Sequence, residues 1–248
     1  MQTQIELFHS PRDILGQPLD GAAAIVVDVL RASNSIITAV GNGCRRVLPV
    51  VELYEARALA VRLSAEGALL CGERDARMIP GFDFGNSPAE YVRERVQGRT
   101  LIFCSTNGSR AMVRAAEAQR AVVASFANLS ATVSALKDAS RLAILCAGRL
   151  DELSLEDTAC GGAIVEAFCR QRHGACQLND AAAAARALFQ QEGKHLRDLA
   201  RASDHGRYLV ELGAEADIDL CVEVDRSTTV PQVLTGDHGL VTVVASST

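Results

Sequence analysis

An α/β fold with a mainly parallel central sheet, covered by helices on both faces, is what this sequence predicts. Short apolar runs of strand length recur at Ile5–Phe8, Ala23–Leu30, Val47–Val51, Ala68–Cys71, Leu101–Cys104, Ala121–Ala124 and Leu142–Cys146. Between most of them lie helix-length stretches whose apolar residues follow mixed three and four spacing, as in Leu53, Ala56, Leu59 and Leu63. Three of the runs also give way abruptly to polar and small residues ahead of the next helix. In parallel α/β sheets such clusters share the carboxyl edge, where ligands bind.

After Glu156 the texture changes to a long helical region, with Ala181–Ala185, Ala187 and Leu188, then Leu196–Leu199 and Tyr208–Leu212. Two or three closing strands are expected at Leu220–Val224, Val230–Leu234 and Leu240–Ala245, with a turn at Asp237-His238-Gly239 before the last. No Pro/Gly/Ser-rich linker and no repeat of fixed period divides the chain. One domain over 1–248 is therefore expected, with residues 176–215 as a candidate helical subdomain.

With 48% hydrophobic and 22% charged residues, the 248-residue chain can bury a substantial core. A formal net charge of -5 gives no footprint for nucleic acid, and no Lys/Arg run suggests an anionic membrane surface. A small-molecule ligand is the remaining default, and subunit number stays open, a homo-oligomer included. All but two of the 25 basic residues are Arg, so any single Arg must be supported by its position. The start MQTQIELF lacks the basic and long apolar regions of a secretory signal, and every apolar run is broken short of a membrane span, so a cytoplasmic location is expected. The eight Cys include no CxxC pair; Cys71, Cys104 and Cys146 each close an apolar run, where a thiol behaves as a small core hydrophobe. His9, His173, His195, His205 and His238 show no metal spacing.

The polar clusters follow Asp28, Ser105 and Gly148. Asp28 sits inside an otherwise apolar run, where a carboxylate is costly unless it meets a cation or several donors. It is either a site residue or the partner of Arg31. Around Arg31, Ser33 and Asn34, a strand-to-helix turn offers backbone N–H groups and a guanidinium suited to a phosphate or sulfonate. The competing account makes Ser33 an N-cap and Arg31 a surface charge. Ser105-Thr106-Asn107-Gly108-Ser109 likewise combines hydroxyls, an amide and a permissive glycine, without the Lys of a Walker A loop; an ordinary capped turn is its alternative.

Arg149 follows Gly148, and Ser154 with Asp157 fits a capping box. Ala159, Gly161, Gly162 and Ala163 would let that helix press close to a neighbour and bring Glu156 and Asp157 towards Asp28. Carboxylates facing phosphate-binding groups are how Mg²⁺ is usually held. Glu73 and Arg74 end a further strand and join the same edge unless they form a solvated ion pair. In Gly81-Phe-Asp-Phe-Gly-Asn-Ser-Pro-Ala-Glu90, Ser87, Pro88 and Glu90 supply a helix start. Phe82 and Phe84 then either anchor a loop over the cleft, with Asp83 or Asn86 pointing inward, or simply staple the helix to the sheet.

Taken together, "DVLRAS", "GER" followed by "GFDFGNSP", "STNGS", "CAGR" and "EDTACGGAIVEAF" closely resemble the 2-phosphosulfolactate phosphatase family, in order and spacing from about Asp28 to Phe168, with a compatible "VP" at Pro231. The resemblance implies a three-layer α/β/α fold and Mg²⁺-dependent hydrolysis of 2-phospho-3-sulfolactate to 3-sulfolactate and phosphate, a step towards coenzyme M. It makes Asp28, Glu156 and Asp157 the candidates for metal coordination. Arg31, Ser33, Asn34, Ser105, Thr106, Asn107, Gly108 and Arg149 become candidates for binding phosphate and sulfonate, and Glu73, Arg74 and Asn86 join them as candidate substrate contacts. The chain departs from the family at Asn34-Ser35, where Thr is usual, at Ser105 and Ser109, where the family has "TTNGT", and at Asp75-Ala-Arg-Met78, where a Gly-rich segment is usual. The hydroxyl swaps preserve the chemistry; the third change bears on substrate shape.

The expected mechanism is phosphoryl transfer by positioning and charge stabilisation, with Arg31 and Arg149 on the substrate and Asp28 as metal ligand. The "DVLRAS" strand is similar to the haloacid-dehalogenase phosphatases except that Leu30 replaces the second Asp of their DxD, which favours direct water attack over an aspartyl-phosphate. A phosphatase for another acidic ester and a non-catalytic anion-binding protein are the competing readings.

Overall fold

The computed structural model describes residues 2–236 and 239–246. All seven apolar runs form strands: β1 (Thr3–Phe8), β2 (Ala23–Val27), β3 (Arg46–Val50), β4 (Leu69–Arg74) and, after the two-residue β5 (Arg77–Met78), β6 (Thr100–Cys104), β7 (Arg120–Ala124) and β8 (Arg141–Cys146). A short β9 (Cys176–Leu178) and the closing pair β10 (Gln232–Thr235) and β11 (Val241–Val244) complete the described strands. The helices are α1 (Ala32–Gly41), α2 (Leu53–Arg62), α3 (Arg93–Val96), α4 (Gly108–Ala115), α5 (Leu129–Ala135), α6 (Leu155–Gln171), α7 (Asp180–Glu192), α8 (Leu196–Ala202), α9 (Asp204–Glu211) and α10 (Glu215–Cys221). None is long and apolar enough to cross a membrane.

The strands make one mixed, mostly parallel sheet of order β5-β4-β6-β3-β11-β10-β7-β2-β8-β1-β9, with helices on both faces. Strand β2 shows why three layers form. Ile25 and Val27 point into a cluster with α6, α7 and α8, while Ala24 and Val26 point into a second cluster with α1 and α4. Burying an Ile or Val side chain is worth about 1.5–3 kcal/mol, so a strand buried on both faces is held from each side. A third cluster packs Ala56 and Leu59 of α2 on Leu48 and Ile102.

Two parallel blocks, β4-β6-β3 and β7-β2-β8-β1-β9, are joined within the sheet, among the described residues, through the antiparallel β10–β11 pair. That pair meets β7 at Gln232↔Val122 and β3 at Val243↔Val47. Counted along the ladder, the two blocks run in opposite senses. Twist of about 20–25° per step, accumulated over the five steps from β6 to β2, turns much of that reversal back. Helices α1 and α4 each touch strands of both blocks, and the carboxyl ends of β2, β8, β4 and β6 converge on one cavity.

Two local expectations change. Leu220–Val224 is not a strand: Ile218 and Cys221 are buried one helical turn apart in α10, facing the same core as α6. The start at Ser87 yields one 3₁₀ turn, Pro88–Glu90, rather than a longer helix, because the chain extends again at Val92 before α3. The expected turn at Asp237-His238 lies outside the described residues.

The small residues of α6 do what their spacing suggests. A Cβ on Gly162 would sit 2.0 Å from the Ala185 carbonyl oxygen of α7, and one on Gly161 would sit 2.5 Å from Leu7 of β1. Helix α6 is thus wedged between β1 and α7. Gly162→Ala is expected to lower stability by about 1–3 kcal/mol through overpacking, read from the midpoint of a urea unfolding curve at unchanged slope.

Candidate active site

Asp28 follows β2 directly and is 8% exposed. Its Oδ1 accepts the Ala32 N–H at 3.1 Å, its own N–H donates to Ser33 Oγ at 2.9 Å, and the Ser33 N–H donates to its carbonyl at 2.9 Å. The "DVLRAS" turn therefore spends one of these donors on the carboxylate and two within the turn itself, where the sequence suggested an open nest for a phosphate. Burial, reinforced by Glu73 and Glu156, pushes the Asp28 carboxyl up to about 7. Gly108 packs against this group so closely that a Cβ there would lie 2.5 Å from Asp28 Oδ2.

Asp157, in the first turn of α6, has a carboxylate that does not close a capping box. Ser154 Oγ accepts the Asp157 N–H at 3.3 Å, as a cap should, but the carboxylate reaches elsewhere. Its Oδ1 accepts the Val29 N–H at 2.7 Å and its Oδ2 the Gly148 N–H at 3.1 Å. Burial first, then Asp28 and Glu156, raise its carboxyl well above the usual range.

Around these two groups lies a cavity of about 320 Å³. Of the residues expected there from the sequence, Asp28, Arg31, Glu73, Asn86, Thr106, Asn107, Arg149 and Asp157 line it. Glu73 secures two loops at once: Oε1 accepts the Thr106 N–H at 2.7 Å and Oε2 the Ala76 N–H at 2.8 Å. Asn107 Nδ2 donates to the Gly148 carbonyl at 3.1 Å. Thr106 Oγ1 and Asn86 Oδ1 are buried polar atoms without a partner.

The remaining candidates stand behind this wall. Asn34 Nδ2 donates to the Val29 carbonyl at 2.9 Å and to Ser125 Oγ at 2.8 Å. Ser105 and Ser109 hydroxyls bond one another at 3.2 Å, and Arg74 donates to the Val51 carbonyl at 2.6 Å. These side chains, with Ser33, brace the turns and do not line the cavity. Glu156, 1% exposed, lies on a neighbouring hollow beside His205, with Oε1 3.7 Å from His205 Nδ1 and Oε2 unpartnered. Burial raises its carboxyl.

Among the described residues, no three His, Cys, Asp or Glu side chains are placed to surround a cation. Mg²⁺ asks for less, since it usually keeps several waters and takes one or two carboxylates plus substrate phosphate. Asp28 and Asp157 fit that demand: both are buried and line the cavity, and the Asp28 charge raises the cost of charge on Asp157, which a divalent cation would relieve.

The two arginines differ. Arg31 gives one nitrogen to Asp217 at 2.6 Å and another to the Ala76 carbonyl at 2.7 Å, so its charge is matched by α10. Asp217 also accepts the Ser87 hydroxyl at 2.5 Å, and the Ser35 hydroxyl donates to the Asn86 carbonyl at 2.7 Å. "GFDFGNSPAE" is thereby pinned as a wall. Phe84 stacks on Tyr91 at 5.3 Å and Phe82 joins the α2 cluster, so both aromatics are packed on the sheet while Asn86 faces the cavity. Asp83 points away: its Oδ2 accepts the Leu70 N–H at 2.8 Å on β4. Arg149 sits on a tight turn, Gly148 to Asp151, clipped by the Arg149–Glu152 backbone pair and by Arg110 on Asp151 at 2.9 Å.

Asp75, in the segment expected to bear on substrate shape, also lines the cavity, as do His205 and Tyr208, which the sequence did not single out as site residues. Asp75 adjoins the "GER" cluster and was within reach of that argument. The two α9 residues carried no signal, because a helix after a long polyalanine segment gives no sign that it returns to the sheet edge.

The profile of the family described as 2-phosphosulpholactate phosphatase matches residues 8–236. Proteins bearing the name "Probable 2-phosphosulfolactate phosphatase" are similar along nearly their whole length. One from Symbiobacterium thermophilum is 42% identical over 87% of this chain and 92% of its own. One from Thermotoga petrophila is 37% identical over 88% and 92%. One from Caldanaerobacter subterraneus subsp. tengcongensis is 34% identical over 94% and 96%.

Removing one partner of a buried ion pair strands the other. Asp217→Ala is expected to lower stability by about 3–5 kcal/mol, measured by chemical denaturation. Arg31→Met, which removes the stranded charge, is expected to restore part of that loss in the double variant.

Proposed function

The chain belongs to the 2-phosphosulpholactate phosphatase family, and on that premise we propose that it hydrolyses 2-phospho-3-sulfolactate to 3-sulfolactate and phosphate, with Mg²⁺ as cofactor. It is a phosphoric monoester hydrolase. The observation that carries this reading is the meeting of Asp28, Glu73, Thr106, Asn107, Arg149 and Asp157, drawn from separate sequence motifs, around one cavity of about 320 Å³.

Asp28, Glu73, Asp75 and Asp157 present four carboxylates to that cavity, against the matched guanidinium of Arg31 and the free one of Arg149. An anionic ester cannot settle against such a wall without a cation. Asp28 and Asp157 are the side chains we assign to Mg²⁺, with Glu156 behind them in the adjacent hollow. Bound there, Mg²⁺ would supply Lewis-acid stabilisation of the charge on the phosphoryl oxygens. Thr106 donates its unpartnered hydroxyl to the phosphoryl group, and Arg149 balances remaining charge. Asp28 orients the attacking water rather than attacking itself. Leu30 stands where a partner acid would be needed, and Asp28 Oδ1 already accepts the Ala32 N–H. A reducing, cytoplasmic setting suits the eight unpaired cysteines, and the sulfonated hydroxy-acid product is of the class that leads to coenzyme M.

Phosphate release from 2-phosphosulfolactate and from a panel of other phospho-acids tests this reading. The expected result is turnover that disappears with EDTA, returns with added Mg²⁺, and falls roughly 10²–10³-fold in Asp28→Asn. No release from any ester would sink the enzyme assignment, stronger turnover of another phospho-acid would sink the substrate, and full activity in Asp28→Asn would remove Asp28 from the mechanism.

A further inference from the structure

The proposed ester carries three acidic groups, and the reacting phosphate accounts for one. The far side of the cavity is built from α9, which lies beyond the motifs that carry the family resemblance. Arg149 has its guanidinium carbon 5.3 Å from the centre of the Tyr208 ring. Arg149 forms no ion pair among the described residues. Tyr208 is itself held by its hydroxyl, which donates to the Asp75 carbonyl at 3.4 Å, so the ring stays beneath the arginine. His205, one helical turn before Tyr208, lines the same wall.

We propose that Arg149, Tyr208 and His205 form the subsite for the sulfonate of the substrate, a role that rests on the phosphatase reading above. A sulfonate offers three weakly basic oxygens in a tripod. The fork of a guanidinium takes two of them and a single N–H from an imidazole takes the third. Arg149 and His205 also border the hollow on the other side, but Tyr208 lines the cavity that holds Asp28 and not that hollow, so the three together open towards Asp28.

Specificity by a group remote from the reacting bond is read from paired substrates. His205→Gln and Tyr208→Leu would be assayed on 2-phosphosulfolactate and on 2-phospholactate, which lacks the sulfonate, with thermal unfolding of each variant as the check on folding. The expected outcome is a loss of roughly tenfold or more in kcat/KM on the sulfonated ester, mostly in KM, that exceeds the loss on 2-phospholactate by about the same factor. Equal losses on both esters would overturn the proposal. Calorimetric binding of 3-sulfolactate separates the two readings: binding by the wild type that weakens in either variant keeps the subsite even if no ester is turned over. Absence of both turnover and 3-sulfolactate binding in the wild type overturns it. Either variant suffices if the other fails to fold.

Discussion

The Asp157 carboxylate, accepting one backbone N–H from Val29 and another from Gly148, ties the turn after β2 to the turn after β8. Everything at the cavity is placed relative to that tie. It sets Asp28 one residue before Val29 and Arg149 one residue after Gly148, and it fixes the first turn of α6 against both. Hydrogen bonds to a charged group are worth about 1.5–3 kcal/mol each, but the desolvation of a buried carboxylate costs several. Burial, with Asp28 and Glu156 close by, raises the Asp157 carboxyl well above its usual range.

The opposite wall obeys a different economy. Arg31 is almost fully enclosed, and its charge is spent on Asp217 and the Ala76 carbonyl, so it joins α10, the β4–β5 turn and α1 into one frame. Arg149, on an exposed turn with no carboxylate partner among the described residues, retains its charge for whatever enters. Two arginines in similar sequence settings thus divide into a structural tether and a free cation. The difference comes from α10, which contributes Asp217 from 186 positions away along the chain.

Sequence periodicity was enough to locate the principal strands, because a strand buried on both faces must be a continuous apolar run. It failed at Leu220–Val224, where a short apolar run in a helix looks the same as one in a strand until the position of its core neighbours is known. At the site, Asp28 and Asp157 were legible as carboxylates out of place. Ser33, Asn34, Ser105 and Arg74 were legible as polar residues at strand ends, but the sequence could not say that their groups would be consumed by neighbouring backbone. His205 and Tyr208 were invisible for the reason that α9 is brought to the cavity by long-range packing, through Leu209 and the α6 core, and no local pattern records that.

The β10–β11 pair has a consequence in time as well as in space. Strand β3 reaches the rest of the sheet through Val243, nearly two hundred residues later, and β7 does so through Gln232. The β4-β6-β3 block assembles from segments within residues 46–104, whereas β2 pairs with β7 and β8 across about a hundred residues, and the ladder between the blocks closes only when residues 232–244 are available. Loop closure over such a distance is slow relative to local pairing. Until then the halves of the cavity, β2 and β8 on one block and β4 and β6 on the other, are held together by the packing of α1 and α4 and not by the ladder.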